Sequence, residues 1–311
     1  MTDDANGPRS SDRHGSVAGT VVIPTRDRHR LLARCLESLS AAHAAEEIEV
    51  IVVDDGSRVP VTQRLVPGSL ECRILRLGGV GPGTARNAGV HQARAPVVLF
   101  TDDDAEVGAG WVESALTFLT TNPDCVGVNG PVASPKWDPL YELSMASDAR
   151  HHYWTCNVAY RRMTFLKAGG FRGHLFPNAH GEDIDLGMRM RNYGPIGYEA
   201  EMRVLHSPRC ITVRDVVKQG RWAQTDLMLY ALYPELTQDF TLPVRPALVK
   251  GALTRWTTSV GCSPNHGMLR RVARAALLAA VNVAATTGAV LVTPPGRNLR
   301  RRYRDTGTSG R

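Results

Sequence analysis

Acidic residues that can bind a metal ion or move a proton occur in three short clusters of this chain. The clusters are Asp54-Asp55, Asp102-Asp103-Asp104 and Glu182-Asp183. Carboxylate oxygens are the ligands that Mg²⁺ and Mn²⁺ prefer, and the Asp102-x-Asp104 spacing places two of them in one tight turn. An ion held there would neutralise the charge that develops on a departing diphosphate. The third cluster offers a carboxylate that can accept a proton from an attacking hydroxyl.

Each cluster also has a plainer interpretation. An Asp after a strand usually caps the next helix or stabilises a turn, and Glu182-Asp183 opens a predicted helix whose N-terminus favours acids. Capping alone does not require two clusters at two strand ends, or two adjacent acids at one helix start. His206 precedes Ser-Pro and is either a structural hydrogen-bonding residue or a further metal ligand. The residues alone leave both roles of this histidine open.

The elements that must position these residues alternate along the first half of the chain. Apolar runs predict strands at 19–24, 48–53, 72–77, 95–101 and 125–129, and helical periodicity predicts helices at 28–40, 83–93 and 111–121. This alternation predicts an α/β fold with a mostly parallel sheet flanked by helices. Ligands of such sheets bind beyond the carboxyl ends of the strands, where the first two acidic clusters are expected to meet.

The second half is less regular. Residues 131–149 are predicted to be irregular, followed by a strand at 155–160, a helix at 162–168, a helix at 183–192 and a strand ending at His206. A longer helix is predicted at 213–232. Among the histidines of this half, His151, His152, His174 and His180 are candidates for the acceptor side of a site, and the sequence does not rank them.

Several common cofactor motifs are missing from the sequence. The six cysteines are scattered without CxxC spacing, which argues against a zinc ribbon or a dithiol redox motif. The segment GGVGPG at 78–83 lacks the GK[ST] ending of a Walker A loop, and GxGxxG does not follow the first strand. Typical ATP-binding and NAD-binding folds are therefore disfavoured.

The net charge of +7 is concentrated in the tail. Residues 243–311 carry 12 Lys and Arg against one acid, which leaves 25 basic and 29 acidic residues before them. Within the tail, the Ala-rich stretch 275–292 is uncharged and lies at the lower length limit for a membrane span. A buried or surface-lying helix is expected there rather than a span, with basic flanks suited to anionic lipid. Nucleic-acid binding would explain the tail but not the acidic clusters.

The order and spacing of several segments resemble the family 2 glycosyltransferases, which have the GT-A fold. The segments are VVIPTRDR, VVDDGS, GTARNAG, LFTDDDAEV, CNVAYRR, GGF, GEDIDLGMRMRNYG and VLHSP, within about residues 20–207. The resemblance implies an inverting, metal-dependent transfer of a sugar from a nucleotide-diphosphate donor of the UDP or dTDP type. The acceptor would be a hydroxyl or other nucleophile of a glycan, a lipid-linked molecule or a small natural product.

The resemblance also implies roles for individual residues. Asp55 would accept a hydrogen bond from the imide N–H of uracil or thymine, and Asp183, beside Glu182, would be the general base. The metal would be Mg²⁺ or Mn²⁺, bound by Asp102, Asp104 and His206, although the triplet leaves the ligand register open to Asp103. The full donor-binding set is Pro24, Thr25, Arg26, Asp54, Asp55, Arg86, Asn87, Asp102 and Asp103.

The sequence predicts three regions along the chain. The polar residues 1–18 are expected to be a disordered leader, 19–242 the GT-A domain and 243–311 a basic helical C-terminal extension. With no secretory signal at the start, we expect a cytoplasmic protein, with peripheral contact at the inner face of the plasma membrane.

The sequence leaves two alternatives to a glycosyltransferase open. One is a sugar nucleotidyltransferase, for which the glycines after the first strand are missing. The other is a non-catalytic nucleotide-sugar-binding or membrane scaffold. The sequence QGRW at 219–222 resembles the QxxRW motif of processive synthases, but its spacing is one residue short.

Overall fold

The structure, a computed structural model, describes residues 17–42, 48–147, 153–176, 180–237, 248 and 268–293. The leader expected at 1–18 lies outside these residues except for its last two. Most of the basic tail beyond the apolar stretch lies outside them as well.

The central sheet has seven strands and is mostly parallel, as the sequence predicts. Its strands are β1 (Gly19–Thr25), β2 (Ile48–Asp54), β3 (Cys72–Arg76), β4 (Val97–Phe100), β6 (Gly127–Asn129), β9 (Val158–Arg161) and β10 (Ile196–Tyr198). Their order across the sheet is β10-β6-β9-β4-β1-β2-β3. Strand β9 runs antiparallel to both β4 and β6, and the other neighbouring pairs are parallel.

Among the described residues, five shorter strands pair outside the central sheet, in one three-stranded and one two-stranded sheet. They are β5 (Ala105–Val107), β7 (Val132–Ala133), β8 (Glu142–Leu143), β11 (Val204–His206) and β12 (Arg209–Cys210). Strand β11 lies between β5 and β7, while β12 pairs with β8. The segment 131–149, predicted to be irregular, therefore contributes two short strands, which are too brief to give a readable alternation of side chains.

The helices are α1 (His29–Ala42), α2 (Pro82–Gln92), α3 (Trp111–Thr121), α4 (Arg162–Lys167), α5 (Glu182–Met190), α6 (Val213–Leu232) and α7 (Met268–Val292). The apolar face of α1 buries Leu32, Leu36 and Leu39 against one side of the sheet. Helix α2 covers the other side so closely that a Cβ at Gly89 would lie 2.4 Å from Val22 Cγ1. With helices on both faces, β1 and β2 are buried along their whole length, which explains their nearly continuous apolar sequence.

Helix α7 is the helical part of the C-terminal extension, and it begins seven residues before the uncharged stretch. It packs lengthwise on α6, where a Cβ at Gly220 would lie 2.5 Å from Ala285 Cβ. Asn282 donates from Nδ2 to the Val216 carbonyl at 2.9 Å, and buried Arg271 pairs with Asp138. Met268–Leu291 is long and apolar enough to cross a membrane, and 39% of its most apolar window is buried inside the protein.

Candidate active site

The first two acidic clusters lie at one edge of the sheet because their parent strands end there. Strand β2 ends at Asp54, and β4 ends at Phe100, two residues before Asp102. The neighbouring strand β1 ends at Thr25, whose hydroxyl donates to Asp103 Oδ2 at 2.7 Å. The predicted meeting of the strand ends is thus present in the structure, with Thr25 linking two of them.

Asp102, Asp104 and His206 form a candidate metal centre. Their nearest ligand atoms all lie within 4.8 Å of one another, and His206 Nε2 is 3.3 Å from Asp104 Oδ1. The antiparallel pairing of β11 with β5 places His206 opposite Ala105, directly after the aspartate triplet. Two carboxylates and an imidazole suit Mn²⁺ and also accommodate Mg²⁺. His206 is buried, and its Nδ1 has no hydrogen-bond partner among the described residues.

Asp103 is directed away from this group. It is 4% exposed, and its carboxylate accepts from Thr25 and from Arg28 NH1, the latter at 2.9 Å. Burial raises the pKa of Asp103 to about 6 although Arg28 and Thr25 oppose the rise. Alternation along the turn thus brings the first and third aspartates together and leaves the second as a structural link to β1.

Positive side chains surround the candidate metal centre. Arg28 NH1 lies 2.9 Å from Asp104 Oδ2, and Arg86 NH2 lies 2.5 Å from Asp102 Oδ1. Burial favours the protonated form of Asp104, but His206 and Arg28 hold its pKa below the ordinary value. Burial likewise opposes charge on His206, yet Asp104 raises the pKa of this imidazole. Basic side chains from three separate parts of the chain therefore lie against the first and third aspartates.

The acidic pair at the end of β2 splits into two roles. Asp54 is fully buried and accepts from the backbone N–H groups of Ser57 and Val61 and from Arg76 NH1, so its carboxylate organises the turn. Asp55 accepts from Val80 N at 2.7 Å and Gly81 N at 2.8 Å, which fixes the glycine-rich loop before α2. A carboxylate has about four acceptor positions, so Asp55 retains capacity for a further donor.

The other predicted donor-binding residues lie around the same strand ends. Pro24 is within β1, and Arg26 follows it, with its guanidinium 3.2 Å from where a Cβ on Gly79 would be. Asn87 follows Arg86 on α2. Its amide donates to the Phe171 carbonyl at 2.7 Å and accepts from the Phe171 N–H at 2.8 Å, so it anchors the GGF segment to α2.

Glu182 and Asp183 form the first turn of α5. The N-cap of this helix is Gly181, in the left-handed region with φ +83°, so the cap position itself carries no side chain. Burial raises the pKa of Glu182 to about 7, with the neighbouring Asp183 adding to the rise and Arg86 opposing it. Burial also raises the pKa of Asp183, and its Oδ1 accepts from Ile184 N at 2.8 Å.

Arg86 connects the two acidic clusters. Its guanidinium is 4% exposed and lies between Asp102 and Glu182, whose Oε1 is 3.8 Å from Arg86 NH1. Glu182 Oε2 and Arg86 Nε are buried without a hydrogen-bond partner in the described part of the chain. Unpaired buried polar atoms are costly, so their accumulation here marks a place built for another polar group.

Sequence reasoning missed several residues that shape this site. Arg28 had no assigned role, although it lies within the segment VVIPTRDR and binds two of the three aspartates. His180 was an unranked candidate, and it lies three residues before Asp183 with its Nε2 2.9 Å from Asp226 Oδ1. No spacing rule links Asp226 to the acidic clusters, because α6 reaches them only through the tertiary fold.

Comparison with known proteins points to one family. A family model described as Glycosyl transferase family 2 matches residues 20–179, about half of the chain. A validoxylamine A glucosyltransferase from Streptomyces hygroscopicus subsp. limoneus is 31% identical over 221 residues, covering 56% of this chain and 48% of that protein. The chain therefore spans about half the length of this relative.

Solved structures share the fold at low sequence identity. A fragment of Staphylococcus aureus TarS, residues 1–349, matches with a TM-score of 0.53 and 16% identity, covering 94% of this chain and 93% of that one. The same fragment is known in complex with UDP and with UDP-GlcNAc. The mannosyltransferase PcManGT from Pyrobaculum calidifontis, in complex with GDP-Man and Mn²⁺, matches with a TM-score of 0.54 and 15% identity, covering 94% and 88%. These matches confirm the predicted GT-A-type architecture.

Proposed function

The chain belongs to glycosyl transferase family 2, and on that basis we propose that it is a metal-dependent, inverting enzyme that transfers a sugar from a nucleotide-diphosphate donor. The observation that carries the proposal is the meeting of two acidic groups at one edge of the sheet. Asp102, Asp104 and His206 form one group, and Glu182-Asp183 form the other, with Arg86 between them. A single displacement needs charge neutralisation on the donor side and a proton acceptor on the acceptor side.

In this proposal the residues that bind the donor lie at the ends of β1, β2 and β4 and on β11. Asp102, Asp104 and His206 would hold Mg²⁺ or Mn²⁺, which neutralises the charge of the leaving diphosphate when bound. Asp55 accepts a hydrogen bond from the nucleobase, next to Pro24 and Arg26. Arg86, itself buried, compensates the negative charge of both acidic groups.

Asp183 acts as the general base in this proposal. It takes the proton of the acceptor hydroxyl as the oxygen attacks the anomeric carbon, and the bond from that carbon to the diphosphate breaks on the opposite face. Glu182 is the neighbouring carboxyl, and Arg86 binds it from α2. A base must be ionised at working pH, so the raised pKa values of this pair predict an activity that falls as pH drops.

The donor nucleotide is proposed to be UDP or dTDP. The names of the relatives support a nucleotide-sugar donor in general, because TarS is known with UDP-GlcNAc and PcManGT with GDP-Man. Asp55 would accept from a ring N–H, which uracil and thymine carry and cytosine and adenine lack. The acceptor is proposed to be a hydroxyl-bearing small molecule, lipid-linked molecule or glycan, and the S. hygroscopicus relative is named for a small-molecule acceptor.

A donor panel tests this proposal directly. Purified protein is incubated with UDP-, dTDP- and GDP-sugars, with Mn²⁺, Mg²⁺ or chelator, and release of the nucleoside diphosphate is measured. We expect release from a UDP- or dTDP-sugar with metal and none in chelator. Full activity in chelator would contradict the metal dependence. Formation of pyrophosphate from a nucleoside triphosphate and a sugar phosphate would favour the nucleotidyltransferase alternative, and metal-stimulated binding without turnover of any donor would favour the scaffold.

Peripheral membrane contact, on the cytoplasmic side, is a second part of the proposal and is carried by α7. Its outer face exposes apolar side chains, including Leu269 at 83% and Leu277 at 57%, while its inner face packs on α6. Basic residues around it would be attracted to anionic lipid by about 1 kcal/mol each, and salt weakens that attraction. We propose 19–242 as the catalytic domain and 243–311 as an extension whose helix α7 packs on α6.

Flotation with liposomes of anionic and of neutral lipid tests the membrane proposal. We expect salt-sensitive flotation only with anionic lipid, and less of it for the double variant Leu269→Gln and Leu277→Gln. Met163→Gln, which changes an exposed apolar residue on α4, is the matched control. Absence of flotation under every condition would contradict membrane contact, and release only by detergent would indicate insertion of α7.

A further inference from the structure

Helix α6 holds the segment that leads into the catalytic pair, through a side-chain cluster of His180, Trp222 and Asp226. We infer that Asp226, through its hydrogen bond to His180, is a positioning residue for Glu182 and Asp183. This inference rests on the proposed function, because it takes Asp183 as the base. It assigns α6 a part in catalysis. The general location of ligand sites beyond the carboxyl ends of the strands does not predict such a part.

The His180 imidazole is held by two side chains of α6. Its Nε2 is 2.9 Å from Asp226 Oδ1, and its ring stacks on the Trp222 indole with centroids 4.3 Å apart and planes 7° from parallel. Trp222 and Asp226 are one helical turn apart, so they lie on the same face of α6. The hydrogen bond and the stack together fix both the place and the plane of the ring.

The next residue, Gly181, is in direct contact with the same helix. Its φ of +83° is in the left-handed region, and a Cβ there would lie 2.7 Å from Leu229 Cδ1 and 3.0 Å from Thr225 Cγ2. A side chain at this position would be strained by the backbone and would collide with α6. Two consecutive residues immediately before Glu182 are thus fixed against one helix face.

The far side of the same helical turn is tied to α6 as well. The Tyr233 hydroxyl, just beyond the C-terminus of α6, donates to Asp185 Oδ1 at 2.8 Å. Asp185 also accepts from Arg172 Nε and Arg189 Nε, each at 3.0 Å. Glu182 and Asp183 therefore lie between two attachment points, the His180–Asp226 pair before them and the Asp185–Tyr233 pair after them.

The size of the expected effects separates positioning from simple stabilisation. The side chains of His180 and Asp226 are 26% and 24% exposed. Partly exposed pairs of this kind add little to the stability of a fold. A displacement of about 1 Å at a reacting group can lower a rate by about 10²-fold. Loss of the pair should therefore reduce turnover far more than stability.

The test compares four variants of the full chain. Asp226→Ala removes the acceptor, Asp226→Asn keeps an acceptor oxygen without the charge, and His180→Phe keeps a ring on Trp222 without the hydrogen bond. Gln224→Ala changes an exposed residue of the same helix and is the matched control. For each variant we measure kcat, the donor KM, the melting temperature and deuterium exchange at residues 180–186.

We expect Asp226→Ala and His180→Phe to lower kcat about tenfold or more while the donor KM stays within about twofold. Deuterium exchange in the first turn of α5 should be faster in both. Asp226→Asn should recover most of the kcat and the protection, and Gln224→Ala should match the wild type. Wild-type kcat and exchange in Asp226→Ala, or a kcat loss that only follows a lower folded fraction, would overturn the inference.

Failure of the proposed function is distinguishable from failure of the inference. If the wild type releases nucleotide from no donor, the proposed function fails, and unchanged exchange in Asp226→Ala still overturns the positioning role. If Asp183→Asn turns over normally while Asp226→Ala does not, the base assignment is wrong and α6 positions a different group. Wild-type turnover by Asp226→Ala with an inactive Asp183→Asn overturns the inference alone.

Discussion

The two acidic groups at the edge of the sheet differ in how the protein treats their charge. Around Asp102–Asp104, the side chains of Arg28, Arg86 and His206 supply positive charge, and the pKa of Asp104 is below its ordinary value. Around Glu182–Asp183, burial outweighs the cations, and both carboxyl pKa values are raised. Asp104 is stabilised in its ionised form, whereas the pKa shifts of Glu182 and Asp183 favour their protonated forms.

This difference fits two distinct chemical tasks. A metal site needs carboxylates that are always charged, and the arginines that balance them can be displaced or retained when a cation and a diphosphate arrive. A general base needs a carboxylate whose affinity for a proton is high enough to accept one from a hydroxyl. The strand ends provide the first environment, and the buried start of α5 provides the second.

The largest effect should come from the base itself. Asp183→Asn keeps the shape of the side chain but removes the proton acceptor, so we expect kcat to fall by about 10²-fold or more. Donor affinity should stay near the wild-type value. The acidic group proposed to bind the donor, around Asp102, lies on the other side of Arg86 from the Glu182-Asp183 pair. Steady-state kinetics with Asp124→Asn, which changes an exposed acid, provide the control. Wild-type turnover in Asp183→Asn would move the role to another residue.

The free energy of unfolding should depend on pH because the carboxyl group of Glu182 is buried. The pKa of Glu182 is raised from 4.5 to about 7, so the folded state binds this proton more tightly than the unfolded state. The resulting stabilisation is complete below about pH 4.5 and is lost as pH rises through about 7. Glu182→Gln should therefore be more stable than the wild type by about 3 kcal/mol at pH 8, with little difference near pH 4.5.

Urea unfolding at the two pH values measures this difference. Asp104→Asn is the comparison from the other cluster, and it should not gain stability at pH 8, because His206 and Arg28 would lose their partner. A Glu182→Gln variant that is less stable than the wild type at pH 8 would show that Arg86 compensates the carboxylate fully.

A smaller effect is expected at the nucleobase. Asp55→Ala should weaken binding of UDP and dTDP donors by about 1–2 kcal/mol, since it removes a buried acceptor for the imide N–H. Calorimetry of donor binding checks this, and thermal melting reports separately on the loop held through Val80 and Gly81. An unchanged dissociation constant would mean that Asp55 serves only the turn.

The donor side of the site was predictable from the sequence because local rules determine it. Nearly continuous apolar runs identify the strands, and parallel strands bring Asp55 and Asp102 to one edge whatever the rest of the chain does. The antiparallel course of β9 was not predictable, because its sequence does not reveal which neighbour it pairs with. The role of His206 stayed open for the same reason, since only the β11–β5 pairing places it beside Asp104.

The base side depended on contacts that no sequence rule describes. The start of α5 was predicted within a residue, but its attachment to α6 was not, because it joins His180 to Asp226 across 46 positions. The contact made by Trp222, in the QGRW segment, was likewise not predictable from the sequence. In the structure its indole stacks on His180, so it supports the segment that leads to the base.

The central claim is that the two acidic groups divide the work, one binding the donor with a metal and the other removing a proton. It is tested most directly by calorimetry of UDP- or dTDP-sugar binding to Asp104→Asn and Asp183→Asn, each with Mn²⁺ and with chelator. The account predicts wild-type, chelator-sensitive binding by Asp183→Asn. For Asp104→Asn it predicts binding about tenfold weaker or more and insensitive to chelator. Equal loss of binding in both variants, or metal-dependent binding that survives in Asp104→Asn, would contradict it.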